Sequence, residues 1–150
     1  MIKVNVLSEE KSWSKKIKKK EIFFNKICSH FPKKFRFENK KFYLTLLLSN
    51  NKNIKRLNKK FRKKNNHTDV LSFPFQKNLK ENYLGDIIIS FNYMNKPRNL
   101  TNYDFKEKVT KIFIHGFLHL LNFNHIKKKE YQLMFHEEQK IFRSVKKLLI

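Results

Sequence analysis

The sequence predicts an α+β fold: a small mixed four-stranded sheet covered by helices, in the element order β-α-β-α-β-β-α-α. Three observations predict it. Short apolar runs suited to strands alternate with longer stretches in which apolar residues recur every three to four positions. The third and fourth strand candidates are joined by a short connection, which implies an antiparallel pair. No internal repeat and no linker interrupts the order, so the 150 residues are expected to form one domain with one core.

Ile2, Val4 and Val6 alternate with polar residues, as in a half-buried strand. Ser12 or Ser14 offers a cap for a helix running to about Ser29, with Trp13, Ile17, Phe24, Ile27 and Phe31 as its apolar side and Pro32 closing it. Lys41 to Leu48 reads as a well-buried strand. Ser49 and Asn50 can cap a second helix whose apolar positions are Ile54, Leu57 and Phe61. Val70 to Phe75 is the third strand, and Pro74 places it at an edge or marks its end. Residues 76 to 82 are polar and turn-like, and Leu84 to Ser90 is the fourth strand. A loop around Pro97 leads to a third helix from about Tyr103 to Leu121. A last helix from about Lys129 to Leu149 turns Tyr131, Met134, Phe135, Ile141, Phe142, Val145 and Leu149 toward the core.

Lys and Arg total 35 against 12 acids, a formal net charge of +23. A surface this positive repels itself unless counter-charge is near, so a polyanionic partner is implied, nucleic acid ahead of an anionic membrane. Codon bias toward A and T would also raise Lys, Asn, Ile and Phe, but it does not explain so few acids. Cys28 is the only cysteine, so no intramolecular disulfide can form, and its apolar surroundings mark it as a core residue. The N-terminus has no apolar targeting segment, and the longest apolar runs, such as Leu46 to Leu48, are too short to span a bilayer. The expectation is a soluble cytoplasmic protein.

The chemistry lies in the segment His115-Gly-Phe-Leu-His119-Leu-Leu-Asn-Phe-Asn-His125. Histidines four apart on a helix share one face, so His115 and His119 can grip one ion. His125 reaches the same ion only if the chain leaves the helix near Asn122 and folds back, and Asn tolerates the left-handed conformation such a turn needs. Three neutral imidazoles leave the fourth position of a tetrahedral Zn²⁺ open, as in catalytic zinc sites, where the ion lowers the pKa of water. The competing reading, three unrelated histidines in core, capping and surface roles, does not account for three of six histidines falling at this spacing. His30, His67 and His136 lack such spacing. The pattern is similar to that of zinc proteases, but their general-base glutamate is replaced by Gly116, which weighs against proteolysis.

The residues resemble the YbeY-type endoribonucleases, also called rRNA maturation factors. That family's His-Gly-x-Leu-His-Leu-x-Gly-x-Asp-His motif is matched by His115, Gly116, Leu118, His119, Leu120 and His125. Its Asn-x-x-x-Arg helix end followed by Thr-Asp-Val-Leu-Ser-Phe-Pro is matched by Asn58, Arg62 and residues Thr68 to Pro74, and its Leu-Gly-Asp-Ile by Leu84 to Ile87. The resemblance implies a bacterial, cytoplasmic, zinc-dependent endoribonuclease specific for single strands. It further implies work on the 3′ end of small-subunit ribosomal RNA and in ribosome quality control, with small-subunit proteins as candidate partners. Two departures stand out. Asn122 replaces a Gly, and Asn124 replaces an Asp, which removes a carboxylate beside the third ligand and is expected to weaken the support of the metal.

The candidate metal ligands are therefore His115, His119 and His125. His115 and Arg62 are the candidate catalytic residues, with the Arg62 guanidinium placed to take a phosphate oxygen through its planar donor fork. By composition alone Arg62 is one more charge in a solvated run. It is the resemblance that gives it a role. Lys59, Lys60 and Lys63 are expected to contact RNA beside it. Lys15 to Lys20 and Lys127 to Lys129 could extend that surface, although solvated helix faces explain any single lysine equally well. Asp69 and Asp86 are expected to be structural, and Ser72 has no evident partner. Two other function classes stay open: a zinc metallopeptidase, and a non-catalytic ribosome-binding factor with a structural metal.

Overall fold

A computed structural model describes residues 1–75 and 82–150, so the turn expected at 76 to 82 lies, apart from Asn82, outside the described residues. Four strands, β1 (Ile2–Ser8), β2 (Phe42–Ser49), β3 (Val70–Pro74) and β4 (Tyr83–Ser90), form one sheet in the order β1-β2-β4-β3. β1 and β4 flank β2 in parallel, and β3 pairs antiparallel to β4. The mixed sheet and the antiparallel β3–β4 pair are as the sequence predicts. Pro74 ends β3, the edge strand, where its missing N–H costs no ladder bond.

The helices are α1 (Trp13–Lys16), α2 (Lys20–Ser29), α3 (Asn51–Arg62), α4 (Phe91–Met94), α5 (Asn102–Leu120) and α6 (Lys128–Val145), with 3-10 turns at Lys33–Phe35 and Lys146–Leu149. The strand period of two sorts apolar side chains to two sheet faces. Leu44, Leu46, Leu48, Ile87 and Ile89 enter the main core with Phe24, Phe105, Phe113 and Phe117 from α2 and α5. Leu71 and Ile88 face the other way and are covered by Ile54 of α3. The sheet is thus sandwiched between α3 and a layer dominated by α5.

Three expectations need correction. The helix expected from Ser12 to Ser29 is two helices. Ile17 leaves helical geometry at φ −131° and ψ 105° and is only 3% exposed, because the chain bends there to bury this side chain. Phe61 is 58% exposed: Ile54 and Leu57 face the sheet, while the Phe61 ring, in the last turn of α3, meets the edge strand through Phe73 with centroids 5.6 Å apart. Tyr131 and Phe135 are also more than half exposed: α6 seats Met134, Ile141 and Val145 against the core, and these two rings lie toward its flank. Cys28 is buried as expected, and burial raises its thiol pKa. Among the described residues no helix is long and apolar enough to cross a membrane.

Candidate metal centre

Helix α5 starts at a genuine cap, with the Thr101 hydroxyl accepting from the Asp104 N–H at 3.1 Å. Its last turns carry His115 and His119 on one face. The helix ends in a Schellman arrangement: the Phe123 N–H donates to the Leu118 carbonyl and the Asn122 N–H to the His119 carbonyl, both at 3.0 Å. Asn122 takes the left-handed conformation this stop requires, at φ 69°. The chain then doubles back and brings His125 to the other two. The three imidazoles offer ligand atoms that all lie within 4.8 Å of one another, a group able to hold a metal ion.

Two of the three imidazoles are held in orientations that suit this. The His119 Nδ1 lies 2.9 Å from the Phe123 carbonyl oxygen. A carbonyl only accepts, so Nδ1 carries the proton and the Nε2 lone pair is free. The His115 Nδ1 lies 2.8 Å from Oε1 of Glu138 on α6, again leaving Nε2 available. The two Nε2 atoms sit 3.1 Å apart. Nitrogens about 2.0–2.1 Å from one tetrahedral ion are separated by about 3.3 Å, so the pair fits a shared metal. Burial, together with the neighbouring His115 and His125, lowers the His119 pKa and favours the neutral, ligating form. His125 is exposed, which keeps one side of the centre open.

The centre opens into a cavity of about 660 Å³ whose wall also includes Arg62, Lys64, His67 and Asp69. Arg62, at the end of α3, donates from Nη2 to the Ser72 carbonyl at 2.7 Å and lies 5.3 Å above the Phe73 ring. These two contacts hold the guanidinium on β3 at the rim of the same cavity as the histidines. Lys59, Lys60 and Lys63 are exposed but do not line the cavity; Lys64 does. Asn58, buried at the foot of the α3–β3 loop, donates to the Asn66 carbonyl at 2.9 Å and shapes the wall. His67 also borders the cavity and contacts the Tyr93 hydroxyl at 2.8 Å, whereas His30 and His136 lie on the surface away from it.

Asp69 acts locally, accepting from the Val70 N–H at 2.7 Å where β3 begins. Asp86 accepts from Tyr83 on β4, outside the cavity. There burial first, and then the Asp86 carboxylate, push the Tyr83 pKa up to about 12. Ser72 does have a partner: its hydroxyl donates to the Gly116 carbonyl at 3.1 Å and ties α5 to β3. Gly116 faces that strand closely. A Cβ there would stand 2.9 Å from Ile87 Cγ2 and 3.0 Å from Ser72 Oγ. Position 116 therefore points at the sheet, away from the ligand face, and no glutamate fits there. With Asn at position 124 no carboxylate stands next to His125 in the sequence, whereas His115 receives one from Glu138 of α6. Sequence reasoning missed Glu138 because the contact joins residues 23 apart on different helices.

An α+β fold that sets a three-histidine centre beside an arginine, on a strongly basic surface, defines a class of candidate metal-dependent hydrolases acting on polyanions. The comparisons narrow the class. The family model described as Endoribonuclease YbeY matches residues 6–146, and the chain belongs to this family. It is 59% identical over 149 residues to the Endoribonuclease YbeY of Pelagibacter ubique (strain HTCC1062), covering 97% of both chains. The Endoribonuclease YbeY of Sulfurihydrogenibium sp. (strain YO3AOP1) is 33% identical over 143 residues, covering 93% of this chain and 91% of that one. Among solved structures, the solution structure of TM1509 from Thermotoga maritima superposes with a TM-score of 0.58 at 25% identity, over 95% of this chain and 88% of that one.

Proposed function

We propose that this chain is a metal-dependent endoribonuclease cutting single-stranded RNA, with one zinc ion held by His115, His119 and His125 and a substrate phosphate received by Arg62. The observation that carries this reading is the shared cavity of about 660 Å³ onto which the histidine centre and the guanidinium both open. The relatives' name, endoribonuclease, supplies the substrate class. Zinc suits three imidazoles and, when bound, acts as a Lewis acid toward water or a phosphoryl oxygen.

The chain's own residues do the rest. Glu138 and the Phe123 carbonyl fix the ring orientation of two ligands. Arg62 spends one N–H on the Ser72 carbonyl and keeps the remainder of its donor fork for a phosphate oxygen. Lys64 adds positive charge on the same wall, and Lys59, Lys60 and Lys63 would meet RNA outside the cavity.

We assign ribosomal RNA at the 3′ end of the small-subunit RNA as the substrate, small-subunit proteins as partners and the cytoplasm as the site of action. The family motifs and the net charge of +23 support this. We also take the whole chain as one catalytic domain, in keeping with a family match over residues 6–146. Proteolysis is disfavoured by Gly116, which packs on the sheet where a zinc peptidase needs its glutamate. A purely structural metal is disfavoured because closed sites use four protein ligands, and among the described residues three converge.

The test uses purified metal-loaded protein and its His115→Ala and His119→Ala variants, each incubated with single-stranded RNA and with an unfolded protein. Cleavage of RNA by the parent alone supports the proposal, and elemental analysis of the same sample names the metal. Equal cleavage by all three would mark contamination and sink it.

A further inference from the structure

The break at Ile17 builds a second cavity, of about 390 Å³, between the α1–α2 connection and the start of α5. In an unbroken helix the run Lys15-Lys16-Ile17-Lys18-Lys19 would distribute its ammonium groups around the axis. Here Ile17 is pinned in the core, and the lysine pairs on either side of it line one recess. Lys106, from the second turn of α5, joins them, and Ile22 and Phe23 supply apolar wall. Two of the five ammonium groups are held over aromatic rings: Lys16 Nζ lies 5.7 Å from the Phe105 centroid, and Lys106 Nζ lies 6.0 Å from that of Phe23.

Among the described residues none of the five takes part in an ion pair. Five like charges line one recess, with the Glu10 carboxylate near Lys15 as partial counter-charge, and such a grouping favours the entry of an anion. The recess belongs to α5 as much as the metal centre does, but Lys106 precedes His115 by nine residues, about 14 Å along the helix axis.

We propose that this cavity is a second binding site, separate from the metal centre, for the phosphate backbone of a single RNA strand. A single strand repeats its phosphates and carries flat apolar bases between them. That suits ammonium groups placed around an isoleucine and a phenylalanine. The recess is concave, whereas attachment to a bilayer surface calls for an apolar face that projects. Only the choice of RNA as the polyanion rests on the ribonuclease reading; the anion site itself does not. Its role is to hold a long substrate that the metal centre cuts elsewhere along the strand.

The experiment compares the parent protein with a Lys18→Glu/Lys19→Glu/Lys106→Glu variant and with a charge-matched Lys40→Glu/Lys140→Glu/Lys147→Glu control at exposed lysines outside both cavities. Thermal midpoint and metal content confirm that all three are folded and loaded. Binding is read by anisotropy with a long 2′-O-methylated single strand, and cleavage with a tetranucleotide and a long single-stranded RNA. The expected result is an affinity about tenfold or more lower in the first variant. Its log–log salt dependence should be shallower by about 2, since each phosphate left without its lysine removes about 0.7 from the slope. Tetranucleotide cleavage stays at the parent rate while kcat/KM on the long strand falls.

An equal loss in the control would reduce the effect to net charge and overturn the site. Unchanged long-strand binding would overturn it too, as would loss of binding to phosphatidylserine vesicles with RNA binding intact. Failure of the parent to cleave either RNA would strike the ribonuclease reading alone, because the anisotropy arm reads the cavity without cleavage.

Discussion

Glu138 is placed to orient one histidine of the candidate centre without being one of its three candidate ligands. Its carboxylate accepts from the His115 Nδ1 at 2.8 Å, fixing the tautomer that presents Nε2. Glu138→Gln keeps the size and still offers a carbonyl oxygen, but removes the charge that raises ligand basicity. Metal affinity is expected to fall about 10- to 100-fold, read by competition with a chromophoric chelator, with little change in the apo protein's thermal midpoint. An unchanged affinity would remove Glu138 from the centre. Gly116 gives a prediction of the opposite kind, in stability rather than affinity. Alanine gains about 1 kcal/mol of helix propensity over glycine. Its methyl group, however, would press on buried Ile87 and on the Ser72 hydroxyl that bonds to the same turn. Overpacking of this sort costs about 1–3 kcal/mol. Gly116→Ala is therefore expected to destabilise the fold by on the order of 1 kcal/mol net in urea denaturation, although alanine is the better helix former.

At the scale of the element, the end of α5 is where sequence and geometry agree most closely. The requirement that the chain turn back near Asn122 follows from the six-residue gap to His125, and Asn122 does adopt φ 69°. Alanine in that conformation is strained by about 1–2 kcal/mol. Asn122→Ala should lower stability by about 1 kcal/mol and loosen His125, so metal affinity falls together with the thermal midpoint. Loss of stability with affinity intact would show that the turn does not position the ligand. The ligand triad, the antiparallel β3–β4 pair and the Asn50 cap of α3, which accepts from Asn53 at 2.9 Å, were legible because each is written in local spacing. The break at Ile17 was not. The apolar spacing of Trp13, Ile17 and Phe24 suits a continuous helix, and only the depth of the core beneath Ile17 decides against it. The exposure of Phe61, Tyr131 and Phe135 was hidden for a related reason: periodicity reports which side of a helix is apolar, not how much of that side the neighbours cover. Glu138, Ser72 and the packing of Gly116 were hidden because their contacts cross from one element to another.

For the whole molecule, the centre joins parts that are distant in sequence. Its candidate ligands come from α5 and the following loop, and the carboxylate on His115 from α6, so an ion there would bond the returning loop to the helix layer. A ligand that binds the folded chain and not the unfolded one adds about 2.7 kcal/mol at a concentration 100 times its dissociation constant. For a chain of this size, each kcal/mol moves the thermal midpoint by roughly 2–4 °C, so chelation of loaded protein should lower it by about 5–10 °C. His119→Ala should start near the chelated value and respond little to the chelator. Arg62→Ala should keep the full response, because its guanidinium contacts Ser72 and Phe73 and not the histidines. That contrast would separate the two proposed halves of the cavity: histidines that hold the metal and so stabilise the fold, and an arginine that receives the substrate. A midpoint in the parent that ignores the chelator would mean the histidines hold no ion in the folded protein. A chelator response that disappears in Arg62→Ala would mean that the arginine supports the metal rather than the phosphate.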